Sequence, residues 1–475
     1  MKNKLFIFSI LTIFLLINYF PANAQNIPDF LVNEQTCIDG SEQSHPDIDG
    51  DGNGNYVVTW IDQRSGYSFD IYAQIYLSDG TTLGDNFKVT DVNENATQYD
   101  PSVAVDPNLN FVITWIDKRN AGEWDIYAQR FSNDGTALGS NFKVSDDQSG
   151  EEQEDPAVSI DSSGNFVIVW SDERNGDWDI YAQRYLYDGT PIGNNFKIND
   201  DIGTCLQFWP ACSCKKNGDF IVSWVDKRYN DDYDIYAQRF FADGSAIGNN
   251  VKVNHDGGDA RQLRPDISIK DNGDYIIAWE DERNDNWDIY LQRYLSDGSE
   301  IGNNFFIEDT TDSDQRNASI ENDLPGNFVV SWQDSRIDYF EVYAQRFSVE
   351  AIPIGSSFIV STDTGCLYQY QFYSEITVDN FGNFTICWED HRYGNNGDIF
   401  AQSYLNDGTT IGDNFIVNDD IGSENQYTPS IAKDSSDNFI IAWVDIRDDC
   451  EDIYAQRFSS DGTALGSNFK STMTP

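Results

Sequence analysis

The sequence predicts an all-β protein: an eight-bladed β-propeller with four antiparallel strands per blade. Three observations carry this. The composition is 39% hydrophobic and 14% aromatic, with short runs of Val, Ile, Tyr, Phe and Trp and few helix signals. The motif W-x-D-x-R occurs eight times, at Trp60, Trp115, Trp170, Trp224, Trp279, Trp332, Trp388 and Trp443, spaced 53 to 56 residues apart. The strand bearing that tryptophan is apolar on both faces, so each unit needs a neighbour on either side.

One copy, Asp155 to Asp200, gives the anatomy. "PAVSID" reads as strand A and "SSGN" as a turn. "FVIVWSD" is strand B, with Phe166, Ile168 and Trp170 on one face and Val167 and Val169 on the other. "ERNGDW" is a loop, "DIYAQRYL" strand C, "YDGTPIG" a turn with a hairpin Asp-Gly, and "NNFKIND" strand D. Four strands with two faces to cover make a propeller blade. A linear stack would need distinct caps, and none is visible. The expected blades lie near 46–91, 101–146, 156–200, 210–254, 265–308, 318–361, 374–418 and 429–472, within a propeller spanning 46–475.

The chain opens with Lys2 and Lys4, an apolar run from Leu5 to Phe20, and Ala22-Asn23-Ala24. This reads as a secretory signal over 1–24, so the mature protein is expected to be exported: extracellular, surface-bound or periplasmic. No later stretch is long and apolar enough to span a membrane. Residues 25–45 are the lead-in. "FLVN" (Phe30 to Asn33) stands at the same distance from Pro46 as "FIVS" (Phe358 to Ser361) does from Ser374. It therefore resembles a strand D without its blade, expected to pair onto the last blade. "NFKST" (Asn468 to Thr472) competes for that place.

Seven cysteines in an exported chain suggest disulfides with one thiol left over. Cys205, Cys212 and Cys214 cluster, and a Cys37–Cys450 bond would staple the seam. The formal charge of −50 repels nucleic acid and anionic membranes; it reads first as a solubilising surface and would also suit cations or basic partners.

"WSDERNGDWDIYAQRY" (Trp170 to Tyr185) resembles the repeat of TolB-type propellers and of other secreted bacterial propellers. The resemblance spans the mature chain and implies architecture, not activity. The chain departs from TolB in lacking an extra amino-terminal domain and in having more than that family's six blades.

Candidate functional residues follow. Trp170, Asp172, Arg174 and Asp179 recur in kind in most blades, and an arginine held between the two carboxylates would fix the B–C loop. Eightfold repetition argues for structure, since catalysis needs one asymmetric set. Gln43, Gln98, Gln153, Gln207, Gln262, Gln315, Gln371 and Gln426 each stand 17 residues before their tryptophan. Placed near the channel, they would satisfy backbone groups, or line a ring that reads ligand hydroxyls. The aromatics before strand C are Phe69, Trp124, Trp178, Tyr233, Trp287 and Phe340. Trp124, Trp178, Tyr233 and Trp287 are the best ligand-binding candidates, as stacking platforms for sugars or peptides.

Blade seven departs most from the repeat. "CLYQYQFYSE" (Cys366 to Glu375) and "WEDHRYG" bring Tyr370, Tyr373, His391 and Arg392 forward as an alternative, proton-abstracting set. "DIDGDGNGNY" (Asp47 to Tyr56) mimics a calcium loop, but the repeat reads it as strand A, a turn and the start of strand B. No cofactor or metal is assigned; the acidic D–A loops carry oxygen ligands of the kind Ca²⁺ takes, but no ligand spacing recurs among them. The reading is a non-catalytic binding or scaffold propeller, recognising a glycan or protein through the face bearing the D–A and B–C loops. The alternative is a carbohydrate-active enzyme, lyase-like or hydrolase-like, centred on blade seven. Oligomeric state is not legible.

Overall fold

The computed structural model describes residues 30–32 and 42–465, except 65–67, 92–95, 121–122, 148–149, 229–232, 271, 308–312, 324, 337–338, 362–369, 380, 394–395, 419–423 and 448–450. The chain forms eight antiparallel four-stranded sheets, each ordered A-B-C-D. Blade three shows the pattern: strand A is Gln153–Ile160, B is Phe166–Asp172, C is Asp179–Tyr185 and D is Pro191–Lys197. The A strands touch one another in sequence around the ring, including Gln43–Gly50 against Gln426–Lys433, so they line the central channel.

The two-faced strand B explains the ring. Phe166, Ile168 and Trp170 pack with Ala104, Val112 and Ile126 of blade two. Val167 and Val169 pack with Val222 and Trp224 of blade four. Every seam repeats this, and the cluster holding Trp60 and Ile440 joins blade one to blade eight. The eight repeat tryptophans are fully buried. Large apolar side chains therefore sit between sheets, where burial of each is worth about 1.5–3 kcal/mol.

The final sheet is completed by the chain's early residues. Phe30–Leu31 pairs antiparallel with Asp452–Phe458, with Phe30 opposite Ala455 and Leu31 opposite Tyr454. The Val32 N–H donates to the Ile453 carbonyl at 2.7 Å, and the Asn86 side chain of blade one donates to the Val32 carbonyl at 3.2 Å. Asn468–Thr472, Cys37, Cys366, Cys450 and the expected signal peptide lie outside the described residues. Cys205, Cys212, Cys214 and Cys387 are free thiols.

W-x-D-x-R is a structural clamp. Asp172 accepts the Trp170 indole N–H at 2.7 Å, the Arg174 backbone N–H at 2.9 Å and the guanidinium at 2.6 and 2.9 Å. The guanidinium lies 4.1 Å over the Tyr181 ring, on which Trp170 also stacks. The second carboxylate on Arg174 is not Asp179, as the spacing suggested, but Asp146, at 2.6 Å. Asp146 follows strand D of the preceding blade, so the arginine ties two blades together. Arg119 with Asp91 and Arg228 with Asp200 do the same. Asp179 is held instead by Lys197 at 2.5 Å and Asn199 at 2.8 Å.

A second inter-blade link lies on the opposite side. Arg130, Arg184, Arg239, Arg346 and Arg457 on their C strands donate to carbonyls in the C–D turn of the next blade, at 2.5 to 2.7 Å. Gly244 makes room for this: its φ is +79°, and a Cβ there would lie 2.3 Å from Arg184.

"DIDGDGNGNY" is an A–B hairpin. Asp51 accepts the backbone N–H of Asn53 at 2.7 Å and of Asn55 at 3.1 Å, and the Asn55 amide at 2.6 Å. Asp106 repeats the arrangement with Asn108 and Asn110. Asp47 and Asp49 point to one side of strand A and accept the N–H groups of Val103 and Val105 in blade two, at 2.9 and 2.8 Å. These carboxylates cap turns and link blades.

Candidate functional site

Each strand A begins at its repeat glutamine, which is buried and pairs with the clamp aspartate, as Gln153 does with Asp172. The glutamines knit the rim. Their side-chain oxygens accept the Ile289 N–H at Gln315 and the Val342 N–H at Gln371, each from the preceding blade, at 3.1 and 2.8 Å. Gln207 and Gln262 accept from Asn199 and Asn254 instead, at 2.8 and 2.7 Å.

The register of strand A then slips, between Glu154 and Ala157 in blade three and at the matching place in every blade. At each slip, two residues after the glutamine, the backbone turns left-handed. His45, Asp100, Asp155, Trp209, Arg264, Asn317, Tyr373 and Thr428 have φ between 48° and 54°. Left-handed backbone is uncommon outside glycine, and a β-branched residue such as Thr428 is a true outlier there. In six blades the next residue is proline, which brings no N–H that the bulge would leave unpaired.

This bulge recurs once per blade, and in six blades its residue lines the channel mouth. A cavity of about 630 Å³ opens there, lined among others by His45, Asp100, Asp155, Trp209, Arg264 and Thr428. The clamp residues are the same in every blade, whereas this ring carries seven residue types in eight positions. The fold is symmetric and the mouth is not.

The mouth has distinct sectors. On blades two and three, Asp100 and Asp155 are neighbours of like charge. Desolvation raises both pKa values, and His45 opposes this at Asp100. Asp100 is walled by the ring yet open on its channel side. Asp155 accepts the Ser171 hydroxyl at 3.0 Å. On blade four, Trp209 is 43% exposed, edge-on to Phe208 at 5.0 Å. On blade five, Arg264 donates to the buried Glu280 at 3.1 Å. Glu280 also accepts Arg316 at 3.2 Å and the Asn317 N–H at 2.8 Å. On blade seven, Tyr373 is 50% exposed.

Below the mouth the bore is acidic. Enclosure raises Asp47 to about 6, Asp49 and Glu321 to about 7 and Glu375 to about 8. At Glu375, the like charges of Asp266, Asp47 and Glu321 add to the rise. Glu375 also meets the open lumen, so water there tempers its shift without reversing it. Among the described residues no group of three or more His, Cys, Asp or Glu is placed to hold a metal.

The residues expected from sequence fall on the rim outside this ring, with one exception. The carbonyls of Trp124, Trp178, Tyr233 and Trp287 accept the N–H of the next blade's glutamine, at 2.5 to 2.8 Å. Lys118 lies 4.1 Å over Trp124 and Lys227 4.5 Å over Tyr233, while Arg261 and Arg316 lie 5.1 and 3.9 Å from Trp287. Trp178 is half-buried and Trp287 only 6% exposed. In blade seven, His391 meets Glu389 at 2.9 Å and lies edge-on to Phe372, on which Tyr370 stacks. Arg392 is the clamp arginine of its blade, bound to Asp390 at 2.5 Å and lying over Phe400 at 3.8 Å. Of these eight residues only Tyr373 belongs to the left-handed ring. The ring's signal was present in the sequence: the second of two variable positions between the repeated glutamine and a proline found in six blades.

No family model matches the chain, and no curated protein does either. Solved structures resemble it at low identity. An ulvan lyase of polysaccharide lyase family PL25 aligns at TM-score 0.48 and 12% identity, over 76% of this chain and 92% of that one. A GH93 α-L-arabinofuranosidase of Fusarium graminearum aligns at 0.44 and 13%, over 78% and 96%. The β-propeller domain of the trilobed protease of Pyrococcus furiosus aligns at 0.44 and 9%, over 79% and 97%. At these levels the likeness says nothing about activity.

Proposed function

We propose that the protein is an exported binding propeller that takes a saccharide into the mouth of its central channel. The observation that carries this is the ring of eight left-handed residues, a repeated backbone feature from which six non-repeated side chains line one cavity. Its volume, about 630 Å³, is that of a ligand pocket, not of a flat protein interface. Trp209 offers a partly exposed indole on the cavity wall for stacking, and Asp100, Asp155, Arg264 and His45 offer hydrogen-bonding groups for hydroxyls. The signal-peptide reading of residues 1–24 supports export. Among the described residues no helix is long and apolar enough to cross a membrane.

The test is binding to a panel of oligosaccharides, for the native chain and Trp209→Ala. Saturable binding weakened at least tenfold by the substitution, about 1.4 kcal/mol, is expected. Failure of every saccharide to bind overturns the reading.

A second reading is a carbohydrate-active enzyme at blade seven, favoured by the contact of His391 with Glu389 beside Tyr370. A carboxylate on the imidazole would make it a better base. It predicts unsaturated or newly reducing products from a polysaccharide, lost in His391→Ala. Turnover that survives that substitution removes it.

A further inference from the structure

The mouth is electrically divided, although the chain as a whole carries a formal charge of −50. On the blade-five side, Glu280 is fully buried and serves two guanidinium groups, Arg264 at 3.1 Å and Arg316 at 3.2 Å. One carboxylate against two arginines leaves a net positive charge. Its outlet is Arg264, whose side chain is 53% exposed on the cavity wall. The nearby Arg261 is balanced by Glu282 at 2.6 Å. On the blade-two and blade-three side, Asp100 and Asp155 both line the cavity; burial makes each costlier to ionise, and the Asp100 charge adds to this at Asp155, against His45 at Asp100 and hydrogen bonds from Ser171 and the Trp209 N–H at Asp155. That sector is net negative. Trp209 stands between the two, on blade four.

We infer that the mouth selects a zwitterionic saccharide, one with a free amine on one sugar and a carboxylate on the next. The inference rests on the saccharide reading above and adds the charge pattern. The amine would be bound by Asp100 and Asp155, two carboxylates on one wall of the cavity where a cation stabilises their charged forms. The carboxylate would be bound by Arg264, whose planar fork suits two-point contact. The sugar face between them would lie on Trp209. An all-anionic ligand would meet the aspartates, and an all-cationic one would meet Arg264. Each is disfavoured at one end, which is how opposed charges produce selectivity.

The pattern can be separated from binding as such with four disaccharides of one size. These are glucosamine linked to glucuronic acid, its N-acetylated form, its carboxyl-reduced form, and a neutral disaccharide of glucose. Calorimetry at low salt should rank the zwitterion first, with each single neutralisation weakening binding roughly tenfold. Asp100→Asn should abolish the preference for the free amine and keep that for the acid. Asparagine tolerates left-handed backbone, so the bulge is kept. Arg264→Gln should do the reverse, while Glu280 keeps Arg316 and the Asn317 N–H as partners. Thermal melts establish that both variants are folded. If the neutral disaccharide binds as well as the zwitterion, or if either variant leaves both preferences intact, the charge assignment is overturned and the saccharide reading survives. If none of the four binds and the wider panel is also silent, both fall.

Discussion

Arg457, on strand C of blade eight, donates to the carbonyl of Ser78 in the C–D turn of blade one at 2.6 Å. It is 2% exposed, the most enclosed of the arginines that link one blade to the next, and its link crosses the seam where the ring shuts. Arg457→Ala should cost about 1.5–3 kcal/mol in denaturant unfolding, the range for a hydrogen bond from a charged group. Arg130→Ala removes a like contact with exposed bonds and should cost less. Equal losses would mean that the seam has no special weight.

Asp172 should be far less replaceable than its surface would suggest. It is fully buried and receives an indole, a backbone N–H and a guanidinium. Asp172→Ala strands Arg174 and is expected to cost about 3–5 kcal/mol. Urea unfolding followed by tryptophan fluorescence reads this directly.

The bore carboxylates predict a falling stability curve as pH rises. Asp49, Glu321 and Glu375 have folded pKa values raised to about 7, 7 and 8. Between their unfolded values and these, the folded chain holds more protons than the unfolded one, so stability decreases with pH. The loss should begin near pH 4.5 and be complete above about pH 8. Melting temperature measured across that range should drop, and Glu321→Gln with Glu375→Gln should flatten the drop. A slope unchanged in the double variant would place the titrating groups elsewhere.

Thr428 carries a β-branched side chain at φ 48°. Thr428→Gly should raise stability by about 1 kcal/mol, because glycine accepts that backbone without strain. The same exchange at a strand position with ordinary backbone, such as Thr385→Gly, should lower it.

The Asp51 hairpin should be indifferent to calcium. Its carboxylate oxygens are already occupied by the turn. Added Ca²⁺ should move the melting temperatures of the native chain and Asp51→Asn equally. A shift confined to the native chain would restore a calcium site.

The fold was legible because it is written eight times. Phe166 and Val167 needed opposite neighbours, and the structure supplies blades two and four. The clamp was half legible. Spacing singled out Asp179 as the second partner of Arg174 because it is near in sequence, while the true partner, Asp146, lies across a blade seam. Its recurrence as Asp91 and Asp200, at the same interval before the arginine, was a usable signal. The mouth was missed for a different reason. A residue before proline is expected to be extended, and nothing local announces a left-handed turn at His45 or Trp209. The search for repeated residues also passes over a site defined by positions that do not repeat.

Phe30–Leu31 completes a sheet whose other strands are made last. During synthesis it leaves the ribosome early, while its partner Ala455 does not yet exist. Blades can form in order, each on the one before, but the circle has no way to shut until nearly the whole chain is available. Assembly is thereby proofread for completeness: a chain truncated before strand C of blade eight retains an unpaired strand, an open seam and a broken channel mouth, and differs from the finished protein in kind, not degree.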